Sequence, residues 1–311
     1  SPWWSPGGHL QTIVPALRPP RHVALRRERW DTPDGDFIDV DFCGDPGAVK
    51  QLVLFHGLEG GSDSHYARAM AAHAIERGWR LALPHFRGCS GEINRTRRAY
   101  HSGDSEEIDW VLQRLLSRPG APLHAVGVSL GGNALLKWLG ERGEKARALV
   151  HRAAAVSAPL DLAAAGNALD RGLNRILYTR HFLSTLKPKS LAKLGVFPGL
   201  YDREKVEGAS SFREFDNLVT APLHGFRDTD HYWASAASGP YLEHIRVPTL
   251  VLNARNDPFL PEQALLRAAR KAAPCVVLEF PRTGGHAGFL GGPFPGSHAW
   301  LPRHLFEFLD S

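Results

Sequence analysis

The sequence predicts an α/β fold, in which a mostly parallel central sheet is flanked by helices. Short apolar runs alternate along the chain with helix-length amphipathic segments, a pattern typical of parallel strands joined by helices. One run leads through a tight glycine-rich turn into a helical stretch, and one long segment interrupts the alternation. A chain of 311 residues allows two domains, yet single α/β domains reach this size, so we predict one domain over residues 1–311 that carries an insertion.

The predicted strands differ in their expected exposure to solvent. The first alternates polar and apolar residues, which favours a half-exposed strand, whereas the others are mostly apolar, as in the buried centre of a parallel sheet. In chain order they cover residues 36–42, 51–55, 80–83, 123–128, 147–156, 248–253 and 275–280.

Helices are predicted between these strands. The clearest begins near Ser102, where an acidic first turn suits the positive end of the helix dipole, and its apolar residues follow at helical spacing. Arg118 and the pair Pro119-Gly120 are predicted to end it. Further helices are predicted near residues 65–78, 131–142, 261–273 and 298–309.

The alternation stops between about residues 159 and 240, where helical pieces rich in leucine, arginine and aromatic residues are broken by glycine and proline. Ligands of open α/β sheets bind at the carboxyl ends of the strands, so we predict that this insertion is a helical cap over that end. Six of its apolar residues would either line an apolar acyl pocket or form the core of the cap itself: Leu183, Leu186, Leu191, Leu194, Phe197 and Leu200.

The composition excludes several classes of protein. With 43% hydrophobic and 22% charged residues the chain is globular rather than disordered. No apolar run approaches the roughly 18 residues that cross a bilayer, so no transmembrane segment is predicted. The three cysteines are far apart and odd in number, which fits neither a disulfide framework nor a CxxC site. We therefore expect a reducing compartment and a cytoplasmic protein.

Charge and motifs narrow the partners further. A net charge of +5 with local arginine clusters indicates a solvated basic face, or attraction to anionic substrates or lipid headgroups at the periphery of a membrane. No zinc-finger spacing or RNP-type aromatic motif accompanies the charge, so nucleic-acid binding is not predicted. The sequence has no HExxH, P-loop or GxGxxG pattern, and neither a metal nor a cofactor is expected. The oligomeric state cannot be predicted from it.

A serine stands in the tight turn after the predicted strand 123–128. The turn covers residues 127–132, in the order Gly-Val-Ser-Leu-Gly-Gly. Such a turn forces its central residue into a strained backbone conformation and needs glycine two positions to either side, where a side chain would meet the adjoining backbone. It exposes the hydroxyl at a helix N-terminus, whose partial positive charge favours developing negative charge. We predict that Ser129 is a nucleophile rather than a plain turn serine.

A serine nucleophile needs a histidine base, itself oriented by a carboxylate. In this architecture the acid and then the histidine follow the serine, each in a loop after a strand. Asp257 lies in the loop after the strand 248–253, and His286 in the loop after the last predicted strand. We predict these two residues as acid and base. Asp161, which follows an earlier strand, is the alternative acid. The other interpretation of Asp257 is an ordinary loop acid that caps the helix starting near Pro261.

Acyl transfer also needs hydrogen-bond donors for the oxyanion. The strand 51–55 runs into a glycine-rich turn over residues 56–61, where a backbone amide can face the site. We assign the donors to the backbone N–H groups of Leu58 and of Leu130, the residue after the serine. His56 is interpreted as a structural residue that packs this turn rather than as a base.

The chain resembles the YheT-like family of α/β-hydrolases, which is related to the abhydrolase-domain lipases. The resemblance rests on blocks that span nearly the whole chain, at residues 8–12, 56–66, 85–92, 100–104, 127–133, 213–226, 245–259 and 284–292. It implies the α/β-hydrolase fold and a serine hydrolase that acts on carboxylic esters, with some relatives acting on phospholipid or acylglycerol. Carried over by position, the triad is Ser129, Asp257 and His286.

The sequence thus predicts a carboxylesterase or lipase-like enzyme that works through an acyl-enzyme on Ser129, with a small-molecule ester as its partner. The same residues would also serve an acyltransferase or an amidase. A catalytically inactive binding protein on the same fold is a third possibility, although the complete triad and both oxyanion positions argue against it.

Overall fold

The structure is a computed structural model that describes residues 2–116 and 123–311. Its strands are β1 (Arg26–Asp31), β2 (Phe37–Cys43), β3 (Gln51–Phe55), β4 (Arg80–Pro84), β5 (Leu123–Val128), β6 (Arg152–Val156), β7 (Thr249–Leu252) and β8 (Val276–Glu279). They form one eight-stranded sheet in the order β1-β2-β4-β3-β5-β6-β7-β8. Strand β2 pairs antiparallel with β1 and β4, and every pair from β4 to β8 is parallel. The predicted mostly parallel sheet is therefore confirmed.

Two differences from the predicted strands have clear physical causes. The predicted strand 147–156 begins only at Arg152, because residues Gly143–Ala148 form a 3-10 helix that returns the chain to the sheet. Strand β1 was not predicted, since its sequence is mostly charged. It lies at the edge of the sheet, where only one neighbour holds it.

The prediction that the strand 36–42 is half-exposed is wrong. Every residue of β2 is buried, including Asp39 and Asp41. The reason is that arginines of the neighbouring strand β1 pair with these carboxylates. Arg29 Nε donates to Asp39 at 2.8 Å, and Arg27 Nε donates to Asp41 at 2.7 Å. A buried carboxylate needs such a partner, because burial without one is very costly.

Helices cover both faces of the sheet. They are α1 (Gly7–Leu17), α2 (His65–Glu76), α3 (Ser105–Leu116), α4 (Leu130–Arg142), α12 (Glu262–Ala269) and α13 (Trp300–Asp310), with α5 to α11 in the insertion given below. One core layer packs α3, α4 and α12 on the sheet, and a second packs α2 and α13 on the opposite face. The residues predicted to end α3, Arg118 and Pro119-Gly120, lie outside the described part. Within residues 2–116 and 123–311, no helix has the length and apolar character needed to cross a bilayer.

The regular secondary structure between β6 and β7 is entirely helical, and this segment has its own apolar clusters. Its helices are α5 (Leu162–Leu169), α6 (Gly172–Asn174), α7 (Arg180–Val196), α8 (Arg203–Gly208), α9 (Phe212–Phe215), α10 (Ala221–Leu223) and α11 (Thr229–Ala236), with π-helical turns at Arg175–Thr179 and Asp216–Thr220. Leu183 packs there with Val206, Phe215 and Val219, away from the core layers of the sheet. The insertion therefore carries a core of its own.

Asp216 is the polar exception inside this segment. Its carboxylate accepts hydrogen bonds from Thr220 Oγ1 at 2.7 Å and from Trp233 Nε1 at 2.8 Å. Burial outweighs these donors and raises the pKa of Asp216 to about 6. The folded protein then keeps a proton that the unfolded chain loses near its ordinary pKa of about 4, so this group lowers the free energy of unfolding as the pH rises through that interval.

Replacing Asp216 by Asn should remove that pH dependence, because the amide stays neutral and can still accept from Trp233. We expect the variant to gain about 1–3 kcal/mol in unfolding free energy over the wild type between pH 4 and pH 7. Urea denaturation at both pH values measures the gain, with Asp45→Asn at an exposed turn as the control. Parallel pH curves for Asp216→Asn and the wild type would contradict the assignment.

Candidate active site

Ser129 occupies the turn between β5 and α4 with a backbone φ of 54° and ψ of −119°. A positive φ is strained for a residue with a side chain. The turn closes because glycine flanks it: a Cβ placed on Gly131 would lie 2.5 Å from the carbonyl oxygen of His56. The strained turn that the sequence predicts is thus present, and it holds the hydroxyl at the N-terminus of α4.

His286 and Asp257 lie in the loops that follow β8 and β7. His286 Nε2 is 2.8 Å from Ser129 Oγ, and His286 Nδ1 is 2.8 Å from Asp257 Oδ2. A carboxylate only accepts, so Nδ1–H donates to Asp257, and Nε2 is then free to accept from the serine hydroxyl. The Phe259 ring stacks on the imidazole, with the ring centroids 4.1 Å apart. The predicted nucleophile, base and acid therefore form one continuous chain of hydrogen bonds.

Asp161, the alternative acid, has a different role. It precedes α5, and its carboxylate accepts from the backbone N–H of Ala164 at 2.9 Å. This contact caps the helix by satisfying one unpaired donor of its first turn. Asp257 accepts from the backbone N–H of Phe259 at 2.8 Å and still reaches the imidazole with its other oxygen.

Leu58 and Leu130, whose backbone amides are assigned to the oxyanion, line the same cavity as Ser129 and His286. Leu130 is the first residue of α4, so its N–H has no acceptor within the helix. In the part of the chain that the structure describes, no backbone acceptor takes a hydrogen bond from the N–H of Leu58 or of Leu130. Both donors are therefore available to an oxygen of a ligand.

The turn that carries Leu58 is held by hydrogen bonds that sequence reasoning missed. Gly57 N–H donates to Tyr66 Oη at 2.8 Å, and Glu59 N–H donates to Tyr100 Oη at 3.0 Å. The Tyr100 hydroxyl in turn donates to the Glu59 carboxylate at 2.8 Å. Burial raises the pKa of Tyr100 well above its ordinary value, so the hydroxyl keeps the proton it donates. Both tyrosines lie in blocks that carry the family resemblance, which was the only signal for them.

His56 supports the same turn from within the core. Its Nδ1 is 2.7 Å from the carbonyl oxygen of Gly57, and its Nε2 accepts from the backbone N–H of Phe86 at 3.0 Å. Complete burial lowers the pKa of His56 to about 3, so the ring is neutral. Its contacts agree with the interpretation of His56 as a packing residue rather than a base.

A cavity of about 170 Å³ opens between the insertion and Ser129. Its walls are largely apolar and include Leu162, Leu169, Phe182, Leu186, Phe212, Val219, Trp233 and Phe259. Of the six apolar residues singled out in the insertion, Leu186 lines the cavity and also packs against the cluster around Val206, to which Leu183 and Leu191 belong. The part of the pocket wall that the insertion supplies therefore comes mainly from α5, α7, α9 and α11 and from the π-helical turn Asp216–Thr220.

The sheet order and the strand–turn–helix at Ser129 define an α/β hydrolase. Residues 50–293 match the family model described as alpha/beta hydrolase fold. YheT of Escherichia coli (strain K12) is 38% identical over 310 residues, which cover 97% of this chain and 90% of YheT. Phospholipase ABHD3 of Mus musculus is 32% identical over 318 residues, covering 99% of this chain and 76% of the phospholipase.

A solved structure agrees with the fold. The esterase EaEST from Exiguobacterium antarcticum superposes with a TM-score of 0.60 at 17% identity, covering 91% of this chain and 99% of the esterase. The chain belongs to the YheT-like family of α/β hydrolases. The resemblance found in the sequence blocks is therefore confirmed.

The tyrosine contacts of the Leu58 turn can be tested with Tyr100→Phe. Loss of the hydroxyl leaves the Glu59 N–H without its acceptor and removes one donor from the Glu59 carboxylate, which keeps its ion pair with Lys189 beside the cavity. We expect kcat for a nitrophenyl ester to fall by about tenfold through misplacement of the turn, with a smaller change in KM. Tyr241→Phe, in the 3-10 helix Gly239–His244, is the matched control. Equal kcat values for the two variants would count against this role of Tyr100.

Proposed function

We propose that this protein is a serine hydrolase that cleaves carboxylic esters through an acyl-enzyme on Ser129. The observation that carries the proposal is the hydrogen-bonded chain from Ser129 Oγ through His286 to Asp257, with 2.8 Å at each step. An isolated serine hydroxyl is a weak nucleophile at neutral pH, and a correctly oriented imidazole activates it.

The mechanism follows from these contacts. His286 Nε2 accepts the proton of Ser129 as Oγ attacks the ester carbonyl carbon, and Asp257 stabilises the imidazolium that forms. The N–H groups of Leu58 and Leu130 donate to the oxyanion, where one such donor is worth about 3–4 kcal/mol. The imidazolium then protonates the alkoxide oxygen of the leaving group as its bond to the carbonyl carbon breaks. Water, deprotonated by the same imidazole, attacks the acyl-enzyme, and the imidazolium returns the proton to Ser129 Oγ as the acid product leaves.

The cavity supports an ester with an apolar acyl group as the substrate. Its walls are mostly leucine, phenylalanine and other apolar side chains, and it opens directly onto Ser129. Binding an apolar chain there would remove apolar surface from water, which is the main source of affinity in such pockets. Two relatives, YheT and ABHD3, are named as an esterase and a phospholipase, which points to the same class of bond. On this proposal the whole chain is one catalytic domain, and the insertion at about residues 159–240 acts as its cap.

Covalent labelling tests the nucleophile. A fluorophosphonate probe should add to the wild type at Ser129, and hydrolysis of nitrophenyl esters should fall on the order of 10³-fold or more in Ser129→Ala. Ser184→Ala, which changes an exposed serine on α7, should keep both labelling and activity. Full activity in Ser129→Ala would refute the proposed mechanism, and labelling at another residue would relocate the nucleophile.

The acyl-pocket assignment is tested by filling the cavity. Val219 is 4% exposed and lines the cavity wall, so Val219→Phe removes room for an acyl chain. We expect kcat/KM for octanoate esters to fall about tenfold more than kcat/KM for acetate esters. Val196→Phe, at a position that is 65% exposed, should leave the ratio of the two substrates unchanged. A uniform loss on both substrates in Val219→Phe would point to general disruption rather than to an acyl pocket.

A further inference from the structure

Helix α1 packs against the two loops that carry Asp257 and His286, although it is far from both in the sequence. Its N-terminal half contains the block at residues 8–12. Gln11 and Thr12 are 4% and 8% exposed, which is unusual for polar side chains on a terminal helix. Their burial requires hydrogen-bond partners, and these partners lie in the two loops.

The side chain of Gln11 joins the two loops. Its Oε1 accepts from the backbone N–H of Gly284 at 2.9 Å and from Asn256 Nδ2 at 2.9 Å. Its Nε2 donates to the carbonyl oxygen of Ser5 at 2.8 Å, which fixes the orientation of the amide. Asn256 closes the ring, because its Oδ1 accepts from the N–H of Gly285 at 3.1 Å. The side-chain amide of Gln11 thus connects Asn256, which precedes Asp257, to Gly284 in the loop that leads to His286.

Thr12 contacts the histidine directly. Its Oγ1 accepts from the backbone N–H of His286 at 2.9 Å and donates to the carbonyl oxygen of Gly8 at 2.7 Å. The hydroxyl therefore has one defined orientation. This hydrogen bond anchors the backbone of His286, while its imidazole contacts Ser129 and Asp257.

Glycines allow the helix backbone to approach so closely. A Cβ placed on Gly8 would lie 1.9 Å from the carbonyl oxygen of Asn256, and one placed on Gly288 would lie 1.9 Å from that of Gln11. Neither position tolerates a side chain without backbone movement. The helix is thus packed backbone to backbone against both loops.

The histidine loop needs support from outside the sheet. Strand β8 is the last strand of the sheet, with a neighbour on one side only, and Val277 and Leu278 in it are 43% and 36% exposed. The loop that follows it is held by contacts with other segments, among them α1 and Ser157, whose Oγ accepts from the N–H of Ala287 at 2.9 Å. The transition state depends on the position of the imidazole to a fraction of an ångström.

We propose that Gln11 and Thr12 are positioning residues of the active site, which hold the Asp257 and His286 loops in the relative position that proton transfer requires. The proposal rests on the proposed function, in which these loops supply acid and base. It gives a role to the block at residues 8–12, which the catalytic mechanism itself does not use.

The test compares Thr12→Val with Thr12→Ser. Valine keeps the shape of threonine but removes the acceptor for the His286 N–H, whereas serine keeps the acceptor. In Thr12→Val we expect kcat to fall by about tenfold to a hundredfold with little change in KM. Thr12→Ser should restore kcat.

Two further variants make the result decisive. Leu10→Ala, at a position on α1 that is 44% exposed, should match the wild type. Asn256→Ala, at a half-buried position, should reproduce the loss of kcat with little change in KM if Thr12→Val does not fold. Wild-type kcat in the folded variants, while Ser129→Ala is inactive, would overturn the positioning role alone. Activity that survives in Ser129→Ala would instead overturn the proposed function on which it rests.

Discussion

The hydrogen bond between Ser129 Oγ and His286 Nε2 joins segments that are 157 residues apart, and it exists only because the parallel strands of the sheet end at one edge. Strands β5, β7 and β8 each deliver one group of the proposed triad at their carboxyl ends. The crossovers that a parallel sheet needs are helical, so the sheet between these strands is covered on both faces and cannot slide in register without exposing its core. The rigidity of the sheet therefore sets the distance between the loops.

Each loop at this edge is fixed by a second interaction outside the sheet. The turn at Leu58 is held by hydrogen bonds to the hydroxyls of Tyr66 and Tyr100. The loop that carries His286 is held by α1 and by Ser157, whose Oγ accepts from the N–H of Ala287 at 2.9 Å. Ser157 itself has a positive φ of 50°. Strained residues thus lie at the ends of neighbouring strands, and packing around them must offset a cost of about 1–3 kcal/mol for each. The edge of the sheet is where the fold stores strain, which is also where the proposed chemistry occurs.

Sequence reasoning succeeded where the signal is local. Strand 123–128 and the turn at Ser129 were predicted within single residues, because an apolar run, a glycine-flanked serine and a helix start follow one another directly. It failed where the burial or the role of a residue depends on a partner that is distant in the sequence. The alternation in strand β2 indicated exposure, since nothing near Asp41 in the sequence shows that Arg27 on the neighbouring strand β1 will pair with it. Burial of a charge is decided by its partner, and the partner is a tertiary contact.

The same limit explains the cavity and the N-terminal helix. Apolar periodicity predicts that an insertion has an inner face, yet it cannot assign that face to a pocket or to a core. Here Leu186 on α7 contacts both, whereas Leu183, one turn earlier, lies in the core cluster around Val206. The block at residues 8–12 was visible as a family feature, but a glutamine and a threonine carry no chemistry that identifies them in isolation. Their importance comes from the backbone amides of Gly284 and His286, which no sequence pattern places beside them. What the sequence conveys is the chemistry of each group, and what the fold adds is the partner that makes this chemistry specific.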